Sequence, residues 1–338
     1  MKAVRFSSPG SPVDVLQTMD IEKPRPQNGE VLVRMLAAPV NPSDLMYIRG
    51  QYTLSAQCPA TPGFEGVGVV EESGGGLRGT LFRGKRAVVL NQKGGNWAEY
   101  SIVPSAQVIP ISGRLSVEQS ATFFVNPATA WVMTREVLKV PRGLWLLQTA
   151  AGSALGKMIV RLGKHCGFRT FNVVRRPEAA DELRRMGADH VEVFNGSDEQ
   201  MDSFAKSIRE KTGKEGIRYA VDAVGGSTGS AVVRSLGLSG RMLAFGTLSG
   251  EPLQFSPRTL MTTSSQVEGF WLGNFMSTQG LLFKLRLVNR LTKLIMDGVL
   301  SSEIAASYSL DQIGHAVISA ENSAVAGKTL LRISSADA

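Results

Sequence analysis

Between residues 143 and 247 short apolar runs alternate with amphipathic segments, and this alternation limits the possible folds of the chain more than any other feature. The runs "GLWLLQTA" (143–150), "RTFNVV" (169–174), "HVEVF" (190–194), "IRYAVDAV" (217–224) and "GRMLAFGT" (240–247) read as strands. Segments 156–167, 177–188, 198–212 and 227–237 read as the helices between them. In the first helix Met158, Ile159 and Leu162 share one face. Pro177 opens the second in its first turn, and a glycine closes it. A strand that returns parallel to itself through a helix does so with a right-handed crossover, so the repeat predicts a doubly wound parallel sheet.

The flanks read differently. Residues 1–124 are β-rich, with strand candidates at 29–40, 66–73, 84–90 and 97–104 punctuated by Gly and Pro, as in a barrel or sandwich. After about residue 270 a helix at 280–300 leads to short strands ending in "GKTLLRIS" (327–334). The expected organisation is an α/β chain in which a β-rich catalytic domain, 1–124 plus 270–338, is interrupted by a nucleotide-binding domain over 125–269.

A chain of 338 residues suits two domains rather than one core. No apolar run reaches the length of a membrane span, and the first residues lack the apolar core of a signal peptide. Cys58 and Cys166 are too few for a structural zinc site or a disulfide framework, so a reduced, cytoplasmic setting is expected. The net charge of +8 comes from scattered Lys and Arg, which argues against nucleic acid and for solubility with an anionic small ligand.

The first strand of the alternating region runs into "TAAGSALGK" (149–157). The three glycine places of a dinucleotide fingerprint are held by Ala151, Ser153 and Gly156, so only the third glycine survives. The small residues Gly152, Ser153 and Ala154, followed by Leu155, still permit close backbone approach to a pyrophosphate at a helix N-terminus. An ordinary strand–helix turn is the alternative. The end of the next strand bears on the choice of cofactor. Where NAD proteins place an acid for the ribose 2′-hydroxyl, this chain has Arg175 and Arg176. A guanidinium matches a 2′-phosphate and an acid would repel it, so NADPH is the expected cofactor.

This arrangement, with "NPSD" (41–44), "GFEG" (63–66) and "VNPATAW" (125–131), resembles the medium-chain dehydrogenase/reductase superfamily, in which a GroES-like domain is interrupted by a Rossmann domain. In the zinc enzymes of that family a Cys, a His and a further Cys stand where this chain has Asn41, Phe64 and Val125 or Asn126. None is a competent zinc ligand, so the resemblance is to a zinc-free branch with no metal. "NPSDLMYIRGQY", "FNVVRRPE" and "EGFWLGNF" are similar to motifs of the 2-enoyl thioester reductases, and the quinone oxidoreductases are the competing branch.

The resemblance implies roles for individual residues. Tyr52 is the phenol at the reaction centre, as proton donor or oxygen anchor, and Asn41 fixes the cofactor or orients Tyr52 unless it only caps a turn. Asn126 lies in the segment joining the domains. Phe245, Gly246, Thr247 and Leu248 line the nicotinamide half, and Phe270, Trp271 and Leu272 meet the carboxamide. Lys328 reaches the cofactor phosphates, and residues 241–255, as an edge strand of the cofactor domain, form a homodimer contact. Asp44 and Glu65 are read as structural, and Asp222 as near the ligand crevice or bracing a turn. The implied function is NADPH-dependent reduction of an activated C=C bond in a small molecule, with a CoA or carrier-protein thioester as one form of substrate. Quinone reduction and non-catalytic NADPH binding are the alternatives.

Overall fold

The computed structural model describes residues 1–111, 113–213, 216–322 and 327–334. In chain order the strands are β1 (Lys2–Arg5), β2 (Gln17–Asp20), β3 (Glu30–Pro39), β4 (Glu65–Ser73), β5 (Arg86–Leu90), β6 (Tyr100–Pro104), β7 (Val108–Pro110), β8 (Trp145–Gln148), β9 (Arg169–Val174), β10 (His190–Val193), β11 (Ile217–Asp222), β12 (Leu236–Ala244), β13 (Gln266–Gly269), β14 (Ile304–Tyr308) and β15 (Lys328–Arg332). They belong to two compact units, Met1–Val125 with Ser301–Ala338, and Asn126–Leu300.

In the second unit β8 to β13 form one parallel sheet in the order β10-β9-β8-β11-β12-β13. Counted from β8 this is the doubly wound order, with its reversal between β8 and β11. The helix Ala154–Cys166 buries Met158, Ile159 and Leu162, the stripe that the spacing predicts. It stops at Gly167, whose φ of 82° is left-handed backbone that costs glycine little. The helix Asp198–Thr212 supplies Phe204 and Ile208, one turn apart, to a core with Leu147, Phe171 and Phe194.

In the first unit β3 is the central strand of a mostly antiparallel sheet ordered β14-β15-β3-β4-β5-β7, with β6 paired to β3. Its apolar run feeds separate clusters: Val31, Val33 and Met35 enter one, Leu36 and Ala37 another, and Ala38 a third. A strand covered on both faces has no reason to alternate, which is why "VLVRMLAAPV" is apolar almost throughout.

Two expectations are corrected. The chain returns to the first unit at Ser301, not near residue 270. The helix Leu281–Met296 buries Leu287, Leu291, Leu294 and Ile295, and Arg161 Nε donates to the Val299 carbonyl at 3.0 Å, both within the second unit. Each such buried side chain is worth roughly 1.5–3 kcal/mol. An amphipathic stripe announces that a helix packs, not which sheet it packs on. The stretch 241–255 is not a sheet edge either. Its first residues lie in β12, which has neighbours on both sides, and the edge is β13. Among the described residues no helix is long and apolar enough to cross a membrane.

Candidate active site

In the second unit nearly every residue expected to touch a cofactor falls at one place, the C-terminal edge of the parallel sheet. The turn 149–153 follows β8, Arg175 and Arg176 follow β9, Phe245–Leu248 follow β12, and Phe270, Trp271 and Leu272 follow β13. Ligands of open parallel sheets bind outside this edge at the order reversal. There Thr149 Oγ1 donates to Asp222 Oδ1 at 2.6 Å and accepts from the Ala223 N–H at 2.9 Å. Asp222 is fully buried and also accepts from the N–H groups of Val224 and Gly225, so it braces the β11 turn. Phe245 N–H donates to the Asp222 carbonyl and Leu248 N–H to the Ala223 carbonyl, which folds 245–248 against the same turn.

Local chemistry builds the glycine turn. Ser153 caps the helix Ala154–Cys166 and accepts from the Gly156 N–H at 3.1 Å. A Cβ on Gly156 would stand 2.3 Å from the Ala151 carbonyl oxygen, so this glycine survives because the helix packs directly on the strand end. A Cβ on Gly152 would approach Ala179 at 3.2 Å, which brings the turn against the helix that follows Arg175 and Arg176. Arg175 is exposed and has no partner among the described residues; Arg176 is half-buried at the N-terminal cap of the helix Pro177–Arg185. A helix terminus, a turn of small residues and two guanidinium groups at the end of β9 fit a dinucleotide carrying a 2′-phosphate.

In the first unit Asn41, Asp44, Glu65 and Lys328 form one buried polar network, each at most 6% exposed. Asp44 Oδ2 accepts from the Asn41 N–H at 2.8 Å, and its Oδ1 accepts from the Phe64 N–H at 3.0 Å. Asn41 Nδ2 donates to Glu65 Oε1 at 3.0 Å, and Glu65 Oε2 accepts from the Val125 N–H at 2.9 Å. Lys328 Nζ donates to Asn41 Oδ1. Burial pushes the Asp44 carboxyl up to about 7 against the pull of its two backbone donors. Burial also pushes Glu65 up and Lys328 down, each opposed first by the other's charge. Beside the network lies a chain of rings. Tyr47 packs edge-on to Phe6 and Phe64, and half-buried Tyr52 tilts over Phe64 with centroids 5.3 Å apart.

Residues 27–113 match the family model described as the alcohol dehydrogenase GroES-like domain, and residues 154–286 match that of the zinc-binding dehydrogenases. The mitochondrial enoyl-[acyl-carrier-protein] reductase of Caenorhabditis elegans is 30% identical over 280 residues, covering 80% of this chain and 78% of that protein. The chain belongs to the medium-chain dehydrogenase/reductase superfamily. It is an oxidoreductase. The human mitochondrial enoyl-[acyl-carrier-protein] reductase is 29% identical over 280 residues, 81% of this chain and 73% of that one. Among solved structures, a putative NADPH:quinone reductase from Bacillus thuringiensis superposes with a TM-score of 0.89 at 30% identity over 98% of both chains. A mycobacterial protein complexed with NADPH superposes at 0.88 with 26% identity, over 98% of this chain and 100% of that one.

For a member of this superfamily the placements divide in two. Gly152, Ser153, Ala154, Leu155, Arg175, Arg176, Phe245, Gly246, Thr247, Leu248, Phe270, Trp271 and Leu272 lie at one sheet edge. Asn126 is half-buried in the helix Val125–Trp131, at the start of the second unit. Asn41 and Lys328 meet each other inside the first unit, where Lys328 Nζ rests on Asn41 rather than at a surface. Asp44 caps its own helix through the Asn41 N–H, as local pattern implies, and beyond that pattern it holds the Phe64 N–H while Glu65 holds the Val125 N–H. Lys328 reaches Asn41 through the register of β15 on β3, where Leu330 faces Pro39. Carried on past Pro39, that register sets Lys328 beside Asn41.

Proposed function

We propose that the chain is an NADPH-dependent reductase of carbon–carbon double bonds conjugated to a carbonyl, acting without zinc on a 2-enoyl thioester or an enone. The observation that carries the cofactor choice is the exposed Arg175 beside Arg176 at the end of β9, next to the glycine turn. The names of the enoyl reductase relatives support the substrate class. Bound at that edge, NADPH would supply a hydride to the substrate Cβ. The electron pair of the double bond then moves to the carbonyl oxygen, and a proton must reach Cα to give the saturated product. The residues of this chain handle that charge. Tyr52 holds the developing oxyanion with its phenol or donates the proton, since a phenol stays neutral at pH 7 and is a strong donor. Phe64 beneath its ring fixes its plane. The positions of the zinc ligands in metal-dependent relatives carry Asn41, Phe64 and Val125 or Asn126, none of which can replace a Cys or His toward zinc.

The charge distribution suits a phosphate-bearing substrate. The first unit has 14 Lys and Arg against 14 Asp and Glu, so the second, with 23 against 15, carries the whole net charge of +8. A CoA or carrier-protein thioester brings phosphate groups to such a surface. The likeness to the Bacillus thuringiensis structure favours a second reading, quinone reduction with the same cofactor. Turnover of a 2-enoyl-CoA, an enone and a naphthoquinone with NADPH and with NADH separates the readings. The first expects NADPH-linked loss of the enoyl-CoA or enone; activity on the quinone alone selects the second. NADPH binding with no turnover of any of the three selects a non-catalytic protein. The edge of β13, which has no strand beside it among the described residues, is the surface on which two copies would join their sheets, and sedimentation showing only monomer refutes that dimer.

A further inference from the structure

Two buried carboxylates and one buried ammonium meet at the point where three distant segments of the first unit converge: the start of the helix Pro42–Ile48, the start of β4 and the start of β15. Packing alone does not require charge here, and desolvating ions is costly unless each is paired and hydrogen-bonded. The pairing is nearly complete. Asp44 spends one oxygen on each of two backbone N–H groups, those of Asn41 and Phe64. Glu65 spends one oxygen on Asn41 Nδ2 and the other on the Val125 N–H. Asn41 donates to Glu65 and accepts from Lys328, so its amide orientation is set by partners of opposite character. Lys328 is the counter-charge that Glu65 and Asp44 both feel.

The output of this network is a ring. Phe64 receives its backbone position from Asp44, and its side chain packs against Tyr47 with centroids at 5.2 Å and against Tyr52 at 5.3 Å. Glu65 is the next residue along, so Asp44 holds the peptide N–H of Phe64 and Glu65, through its own side chain, ties the same strand start to Asn41 and Val125. We propose that Lys328 and Glu65 are positioning residues for Tyr52, acting through Asn41, Asp44 and Phe64, with Lys328 as the internal cation that holds the acids in place. The inference rests on the reading of Tyr52 as the reacting phenol, and it assigns Lys328 a role within the first unit instead of at the cofactor phosphates.

The test compares Lys328→Met, Glu65→Gln and the double variant Lys328→Met/Glu65→Gln in the full chain. Removing the lysine alone leaves uncompensated buried acid, whereas removing both charges leaves near-isosteric neutral groups. The expected result is that Lys328→Met lowers kcat at least tenfold, with KM for NADPH within twofold, and that the double variant recovers most of the loss. In the cofactor-free protein labelled with 3-fluorotyrosine, the ¹⁹F resonance assigned to Tyr52 through Tyr52→Phe moves in Lys328→Met and returns in the double variant. This second readout separates the two ideas. A moving resonance with turnover indifferent to Tyr52→Phe overturns the reacting phenol and leaves the positioning network standing. An unmoved resonance overturns the network. So does a raised KM for NADPH at unchanged kcat, which marks Lys328 as a cofactor contact. If Lys328→Met does not fold, the double variant decides: folded and active supports the proposal, while unfolded, or folded without activity, overturns it.

Discussion

The two units use basic residues in opposite ways. In the second unit Arg175 stands exposed at a strand end, without a partner among the described residues, in a body that carries the entire net charge. In the charge-balanced first unit Lys328 is buried on Asn41 among two acids. A surface guanidinium keeps its hydration and is available to an incoming phosphate; a buried ammonium is already committed to internal partners. The difference teaches that a basic residue at a plausible sequence position does not announce its role. Burial decides it.

The comparison can be broken most forcefully at Tyr52. Tyr52→Phe keeps the ring on Phe64 and removes the hydroxyl, so steady-state turnover of the preferred alkene is expected to fall on the order of 10²–10⁴-fold, with NADPH affinity nearly unchanged. Equal turnover would move the chemistry away from the first unit. Next in size is the exposed pair: in Arg175→Ser/Arg176→Ser the Kd for NADPH, read by its fluorescence, is expected to rise roughly 10- to 100-fold while that for NADH holds. That range corresponds to losing about 1.5–3 kcal/mol of charged hydrogen bonding. A smaller effect is expected for Gly156→Ala. The new Cβ meets the Ala151 carbonyl oxygen at 2.3 Å, and the denaturant midpoint should drop by the equivalent of about 1–3 kcal/mol. An unchanged midpoint would mean that the turn yields freely.

The finest test is pH. The Asp44 carboxyl titrates at 3.8 in an unstructured chain and is pushed up to about 7 by burial in the fold. The folded protein therefore holds the proton more tightly. The stability this contributes is complete below pH 3.8 and is lost as pH rises through about 7. Thermal midpoints should fall between pH 6 and pH 8 in the parent protein. Asp44→Asn should flatten that fall while lowering the midpoint at pH 6. Its single amide oxygen cannot accept from both the Asn41 and Phe64 N–H groups, and an unpaired buried donor costs about 1–3 kcal/mol. A slope identical to the parent's would assign the titration to another group.

The nucleotide edge of the second unit and the buried polar network of the first were legible to different degrees. The nucleotide edge follows from local pattern, because a parallel strand–helix repeat delivers every βα turn to the same edge and Arg175 falls there by counting. Helix 280–300 shows the limit of such reading. Its apolar stripe was visible, but its attachment to the second unit rests on which surface Leu287, Leu291 and Leu294 meet. The Asn41–Lys328 contact lay further out of reach, since the two residues are joined by the pairing of β15 with β3 across almost the whole chain.

By itself, then, the sequence determined the alternation that makes a doubly wound sheet, the turn of small residues and the arginine pair, because these depend on neighbours within about twenty positions. Only the tertiary structure decided that β13 and not β12 lies at an edge of the sheet, that the return crossing lies at Ser301, and that Lys328 faces inward to two acids. Strand order, packing and burial arise from contacts between remote segments, and the energy of a charge depends on the medium that those contacts build around it.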